Sequence, residues 1–344
     1  MNNVAQKRSD GLEHLRTKVD PQVLKRAEQI RELQSVHLPT KYDDLLDEEL
    51  NRMLSHVLAG NEDEGYALVV TGKSGAGKST TIKQRLRAHP AFAAYVDQYG
   101  NTLELCLSVR TPPGCTMKAL GEEILRRAGY PLQRKLSETE VWNLVRSTLR
   151  RKQYRVIFLD EFQHVLKAPS AKGVTHTTDT VKSLMQDQSW PVWLILAGVP
   201  EMLEFIDRDA DGQMQRRAQI LRVGDMEPDD KSLVQLRKTV NLLAETCGLD
   251  VGFPLNREFL MRLGHAGLWR MGMTIQLIKL SVEAAIWDNR APGSLLFRHF
   301  MDGYTRLSDC AADSNVFVVD DWPRIQREVT EKGMLTRDQS GMAD

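Results

Sequence analysis

The segment Gly72-Lys73-Ser74-Gly75-Ala76-Gly77-Lys78-Ser79 constrains the fold of this chain more than any other stretch. It follows a short apolar run, Tyr66-Ala67-Leu68-Val69-Val70, and leads into a helical stretch from Lys78. An apolar run of that length suits a strand buried on both faces of a parallel sheet. The glycines let the backbone curl so that amide hydrogens converge, and the helix N-terminus behind them adds partial positive charge. Together they form a cradle for phosphate oxygens. Gly72, Lys73, Ser74, Gly75, Ala76 and Gly77 form the loop, and Thr80 follows it on the helix. Lys78 is placed to neutralise β- and γ-phosphates, and the Ser79 hydroxyl to bind Mg²⁺. The expected ligands are ATP and Mg²⁺. A chance glycine turn is the bland alternative, and the strand-loop-helix context argues against it.

A second apolar run, Val156-Ile157-Phe158-Leu159, ends in Asp160-Glu161. Carboxylates at the C-terminal end of a buried strand lie where open α/β sheets bind ligands. Asp160 is expected to hold Mg²⁺ through its water shell, and Glu161 to orient and polarise an attacking water. Further apolar runs at Leu103–Val109 and Val192–Leu196 alternate with helical stretches at Met117–Ala128, Glu138–Arg151 and Thr178–Gln186. That alternation predicts a doubly wound α/β core. Upstream, Asp20 and Pro21 open one helix, and Asp43–Leu58 forms another, stopped by Gly60 and Asn61. Beyond Gly224 the pattern turns helical: Pro228–Cys247, Arg257–Leu263, Met271–Trp287 and Leu295–Leu307. The tail from Ser308 is irregular, with Val316–Val319 expected to be extended.

The 344 residues allow about two structural units. Basic and acidic residues balance at 46 each, which argues against a polybasic protein but not against local phosphate binding. No apolar run approaches the roughly 18 residues of a membrane span, and Met1–Asp20 lacks the apolar core of a secretory signal. Cys106, Cys115, Cys247 and Cys310 are too scattered for a zinc or redox pair and read as free thiols, so a cytoplasmic protein is expected. His164 reads as packing behind its strand. No serine has a nucleophile-elbow context.

These motifs resemble those of the AAA+ ATPases: a P-loop parallel-sheet core followed by an all-helical lid. Within that class the chain resembles the TniB/TnsC group of transposition regulators, relatives of IstB and MuB. The likeness is carried by residues 159–166, Leu-Asp-Glu-Phe-Gln-His-Val-Leu, and by residues 194–201, Leu-Ile-Leu-Ala-Gly-Val-Pro-Glu. Residues 31–37, Arg-Glu-Leu-Gln-Ser-Val-His, add to it. The organisation expected is an N-terminal extension over 1–40, an ATPase core over 41–225, a lid over 226–307 and a tail over 308–344.

The resemblance implies further roles. A polar side chain usually ends the strand after the carboxylates. Here the end reads Ala197-Gly198-Val199, which argues against efficient hydrolysis. Arg216 and Arg217 match the arginine that reaches into a neighbouring subunit, with Arg217 favoured over Arg216. Arg270 matches a second sensor at a helix start. Solvated or packing arginines are the bland alternative. The family's DNA-contacting segment corresponds to residues 108–118, where Arg110 and Lys118 would pair with phosphates and Thr116 would donate a hydrogen bond or cap the next helix. Two acid-free basic stretches, Gly65–Val96 and Trp142–Arg155, point the same way or are solvated helix faces.

The expected function is an ATP-dependent regulator that self-assembles on double-stranded DNA without reading its sequence. It would recruit or activate a transposase and a target-selection protein. A helicase-loader or replication-initiation ATPase, and a nucleotide-gated scaffold with little hydrolysis, are the rivals.

Overall fold

A computed structural model describes residues 11–59, 65–130, 132–166, 171–207, 212–327 and 335. In chain order its main elements are helices α1 (Pro21–Ser35) and α2 (Lys41–Leu58), strand β1 (Ala67–Thr71), α3 (Lys78–Ala88), β2 (Cys106–Arg110), α4 (Met117–Arg127) and α5 (Glu138–Arg151). There follow β3 (Val156–Asp160), α6 (Ala171–Met185), β4 (Trp193–Gly198), β5 (Ala218–Arg222), α7 (Asp230–Thr246), α8 (Arg257–Ala266), α9 (Met271–Trp287) and α10 (Phe297–Ser308). Residues 60 and 61, expected to stop α2, lie outside the described residues.

The five strands form one parallel sheet in the order β2-β3-β4-β1-β5. Alternation along each strand sends side chains to opposite faces. Ala67, Val69, Leu107, Val109, Ile157, Leu159, Leu194 and Leu196 pack in one cluster with Leu120 and Ile124 of α4 and Val145 and Leu149 of α5. Leu68, Val70, Val156, Phe158, Trp193 and Ile195 pack in another with Leu46, Leu50 and Met53 of α2 and Ile82 and Leu86 of α3. Both faces are thus covered, which explains why β1, β3 and β4 read as unbroken apolar runs. The expected α/β core is present, and five parallel strands followed by C-terminal helices define it.

Local signals place several helix starts. Asp20 accepts from the Gln22 amide at 2.7 Å, with Pro21 in the first turn. Ser137 and Glu140 form a reciprocal capping box at α5. Thr40 and Asp43 do the same at α2.

Other expectations are corrected. Leu103 does not open the second sheet strand. The Asp97 carboxylate accepts from the amides of Tyr99 and Asn101 at 2.9 and 2.8 Å, closing a turn that lays Thr102–Leu103 antiparallel against Tyr95–Val96. Val316–Val319 is not extended. Asn315 accepts from the Phe317 amide through its side chain and from Val318 and Val319 through its carbonyl, which winds these residues into turns. Strands do not disappear after Gly224, because Asp250–Val251 pairs with Ser294–Leu295.

The chain divides into two compact units, residues 39–224 and residues 1–38 with 225–344. In the second, Leu33 of α1 shares a core with Leu236 and Leu243 of α7, Leu263 of α8, Leu277 and Ile278 of α9 and Phe300 of α10. Phe253, Phe259, Phe297, Phe300 and Phe317 meet there largely edge to face. All four cysteines are free, and burial pushes the Cys106 thiol up to about 12 and those of Cys115 and Cys247 to about 11. Such thiols stay protonated and unreactive at neutral pH. Among the described residues no helix is long and apolar enough to cross a membrane.

Candidate nucleotide site

The glycine-rich loop joins β1 to α3 at the C-terminal edge of the sheet. Gly75 and Gly77 have φ of 79° and 101°, conformations that glycine adopts without strain. A Cβ on Gly72 would sit 2.4 Å from the Val223 carbonyl oxygen, so no side chain fits there. Among the described residues no side chain caps α3, whose first turn therefore keeps its amides directed out of the helix end. Lys78 Nζ donates to the carbonyls of Gly72 at 2.6 Å and Lys73 at 3.0 Å, folding the lysine over its own loop.

Strand β3 brings the acids to this loop. Ser79 Oγ donates to Asp160 Oδ1 at 2.6 Å, and Lys83 Nζ lies 2.8 Å from Asp160 Oδ2. The Asp160 carboxylate is buried, so these two partners satisfy a charge that water reaches poorly. The sequence expectation named Ser79 and Asp160 as partners in metal binding, and the fold brings them into contact. It placed Lys83, one helical turn past Ser79, only in the basic stretch Gly65–Val96 and not in the nucleotide site. A hydroxyl and a carboxylate are hard oxygen donors of the kind Mg²⁺ takes alongside phosphate. With the uncapped helix start and the positive-φ glycines, they fit a Mg²⁺-nucleotide. Among the described residues no group of three His, Cys, Asp or Glu side chains forms a separate metal site.

Glu161 leaves the strand with φ of 58°, a left-handed conformation uncommon for a residue with a side chain. The Phe162 amide then donates to the Ala197 carbonyl of β4 at 2.9 Å, pinning the turn to the neighbouring strand. Gln163, buried, donates from Nε2 to Glu161 Oε2 at 2.5 Å, and its Oε1 lies 3.4 Å from the Val199 amide. Thr71 and Thr111 end β1 and begin the loop after β2; both hydroxyls are buried with no hydrogen-bond partner among the described residues. Gln163 stood in the stretch that carried the family resemblance but was not read as part of the site.

A family model described as "Bacterial TniB protein" matches residues 19–227. The chain belongs to the TniB family. A search of curated proteins finds no match. Among solved structures, this TniB-family chain is similar to the Aeropyrum pernix ORC2 protein in ADPNP-ADP complexes, at 16% identity and TM-score 0.57, covering 80% of this chain and 71% of that one. It is similar to the Aeropyrum pernix ORC1 protein in complex with DNA, at 17% identity and TM-score 0.55, covering 81% and 67%. Cdc6p from Pyrobaculum aerophilum matches at 12% identity and TM-score 0.54, covering 79% and 69%. Identities this low establish the fold, that of the AAA+ ATPases.

The remaining expected site residues of this TniB-family chain fall in several places. Arg110 is exposed at the end of the edge strand β2. Thr116 caps α4, accepting from the Ala119 amide at 3.2 Å, and Lys118 lies 3.9 Å from Glu122. Arg216 and Arg217 end a short helix just before β5, Arg216 exposed and Arg217 half-buried. Arg270 starts α9 in the C-terminal unit, its Nε 3.8 Å from Asp225.

The basic stretch Gly65–Val96 is partly neutralised through space. Lys83 faces Asp160, and Arg85 is paired with Asp47 of α2 at 2.7 Å. In the other stretch, Trp142–Arg155, Arg155 stacks over the Trp190 ring at 3.4 Å and keeps its charge.

Proposed function

We propose that this protein is an ATP-hydrolysing, DNA-binding regulator of transposition that assembles with copies of itself on duplex DNA and engages a transposase. The observation that carries the nucleotide reading is the 2.6 Å contact between Ser79 and Asp160 at the foot of an uncapped, glycine-led helix. Family membership carries the link to transposition.

In this reading the loop amides from Gly72 to Ser79, followed by Thr80, bind the phosphate oxygens of ATP, and Lys78 exchanges its carbonyl partners for the β- and γ-phosphates. Ser79 and Asp160 hold Mg²⁺, which neutralises phosphate charge when bound. Glu161 orients a water and takes its proton as the water oxygen bonds to the γ-phosphorus; the bond to ADP breaks and ADP leaves with the electron pair. Arg216 or Arg217 completes the site of a neighbouring copy, and the exposure of Arg216 favours that residue. Arg270 reports nucleotide state to the helical unit. Arg110 and Lys118, beside Thr116, supply sequence-independent contacts to DNA phosphates. The ORC1 protein, of similar fold, was solved in complex with DNA.

The test is phosphate release with and without duplex DNA, alongside ATP-dependent DNA binding, in wild type, Lys78→Ala and Glu161→Gln. The expected results are DNA-stimulated release in wild type and neither activity in Lys78→Ala. Glu161→Gln should bind DNA with ATP but release no phosphate. Nucleotide-dependent DNA binding by Lys78→Ala refutes the site assignment. The apolar strand end Ala197-Gly198-Val199 favours one rival, a nucleotide-gated scaffold; intact ATP binding with no phosphate release under any condition would establish it.

A further inference from the structure

Strand β4 ends in three residues without a polar side chain, yet a polar group occupies the space beside them. An ideal Cβ on Gly198 would lie 2.5 Å from Gln163 Oε1 and 2.7 Å from Met202 Sδ. The Gln163 carboxamide fills the position that a side chain at residue 198 would otherwise take. Its two ends are chemically assigned. The Glu161 carboxylate only accepts, so the NH₂ end must face it; the Val199 amide only donates, so the carbonyl end faces that. Gln163 therefore bridges the acid at the end of β3 to the backbone just past β4, and only glycine at 198 leaves room for the bridge.

We propose that Gln163 is the positioning residue of Glu161, standing in for the polar side chain that β4 lacks. The inference rests on the reading of Glu161 as the residue that activates water. Glu161 sits on a left-handed turn, and its carboxylate needs a fixed partner to hold one orientation there. The bond from Gln163 Nε2 occupies Oε2 and leaves Oε1 to accept from the water. A neutral amide is required. A carboxylate at 163 would face Glu161 with like charge and, unless protonated, could not donate to it. Gln163 and Gly198 thus form a matched pair, and hydrolysis survives the missing side chain on β4 because its polar group comes from the turn after β3.

The test has two arms. In nucleotide-free protein, a double-mutant cycle of Gln163→Met and Glu161→Ala is followed by denaturant unfolding. A charge-assisted hydrogen bond predicts coupling of about 10–150-fold in the unfolding constant. In single-turnover hydrolysis, Gln163→Met and Gln163→Glu should each lower the rate about 10–100-fold, with ATP affinity changed less than about threefold. Gly198→Ala should give a similar loss in the wild-type background and little further loss on Gln163→Ala, where the flexible Met202 thioether is the one side chain left for its methyl group to displace. Should Gly198→Ala fail to fold, the Gln163 variants alone decide. Absence of coupling in the nucleotide-free protein, or a Gln163→Met rate equal to wild type beside an inactive Glu161→Gln, overturns the positioning role. Undiminished turnover in Glu161→Gln overturns instead the underlying assignment of Glu161.

Discussion

Lys83→Met separates the pairing that the Asp160 carboxylate makes in the structure from the Mg²⁺ binding proposed for it. In the structure the carboxylate is buried and shared between Ser79 Oγ at 2.6 Å and Lys83 Nζ at 2.8 Å. Bare Coulomb attraction at 2.8 Å in an effective dielectric of about 20 is near 6 kcal/mol. The lysine side chain is 42% exposed, so solvent screening and its own desolvation remove most of that. Exposed pairs contribute under about 1 kcal/mol, and breaking fully buried pairs costs about 3–5 kcal/mol. A mixed pair such as this is therefore expected to contribute about 1–2 kcal/mol. Methionine keeps the apolar stem beside the Phe158 ring and removes only the charge. The nucleotide-free protein should melt about 2–8 °C lower, from about 2–4 °C per kcal/mol at this size. On the proposed reading Mg²⁺ would compete with the ammonium for the same carboxylate, so by linkage removing the ammonium should tighten Mg²⁺-dependent nucleotide binding. The same 1–2 kcal/mol corresponds to about 5–30-fold in the half-saturating Mg²⁺ concentration. Thermal melts in chelator and fluorescent-nucleotide titrations over Mg²⁺ concentration measure both effects. A Mg²⁺ midpoint that is unchanged or shifted upward refutes the competition, even if the melting temperature falls.

Two further outcomes are expected. Arg110→Ala with Lys118→Ala should weaken DNA binding uniformly across sequences and reduce the slope of log affinity against log salt by about 1–2, from roughly 0.9 per phosphate contact; a filter-binding salt series with an unchanged slope would clear both residues. Arg262, largely buried, donates to the Val316 and Val319 carbonyls at 2.9 and 2.8 Å, so Arg262→Met should cost about 2–4 kcal/mol and raise amide exchange over 315–319, measured by urea unfolding and hydrogen exchange.

What was legible in the sequence was local. The glycine loop after β1, the carboxylates at the end of β3 and the caps at Asp20 and Thr116 each involve residues within a few positions, and their places in the fold are legible from spacing alone. β5 was missed because only Leu221 of Ala218-Gln219-Ile220-Leu221-Arg222 is buried; an edge strand lacks the double-sided burial that makes an apolar run. Leu103 was misassigned because an Asp97-centred turn, not hydrophobicity, decides its pairing. Charge was misleading for the same reason: Arg85 and Asp47 sit 38 positions apart in sequence and neutralise each other in space. The Gln163 bridge is the sharpest case. Read along the chain, Ala197-Gly198-Val199 is a site that lacks a polar group, and that reading argued against efficient hydrolysis. Read in space, Gly198 is the vacancy that admits a carboxamide from 35 residues earlier on the chain, which also reaches the Val199 amide across a separation of 36. A glycine where a functional side chain is expected is therefore informative in two ways. It can mark a lost function, or it can mark the space taken by a side chain from elsewhere, and the distance from its ideal Cβ to the nearest foreign atom tells the two apart.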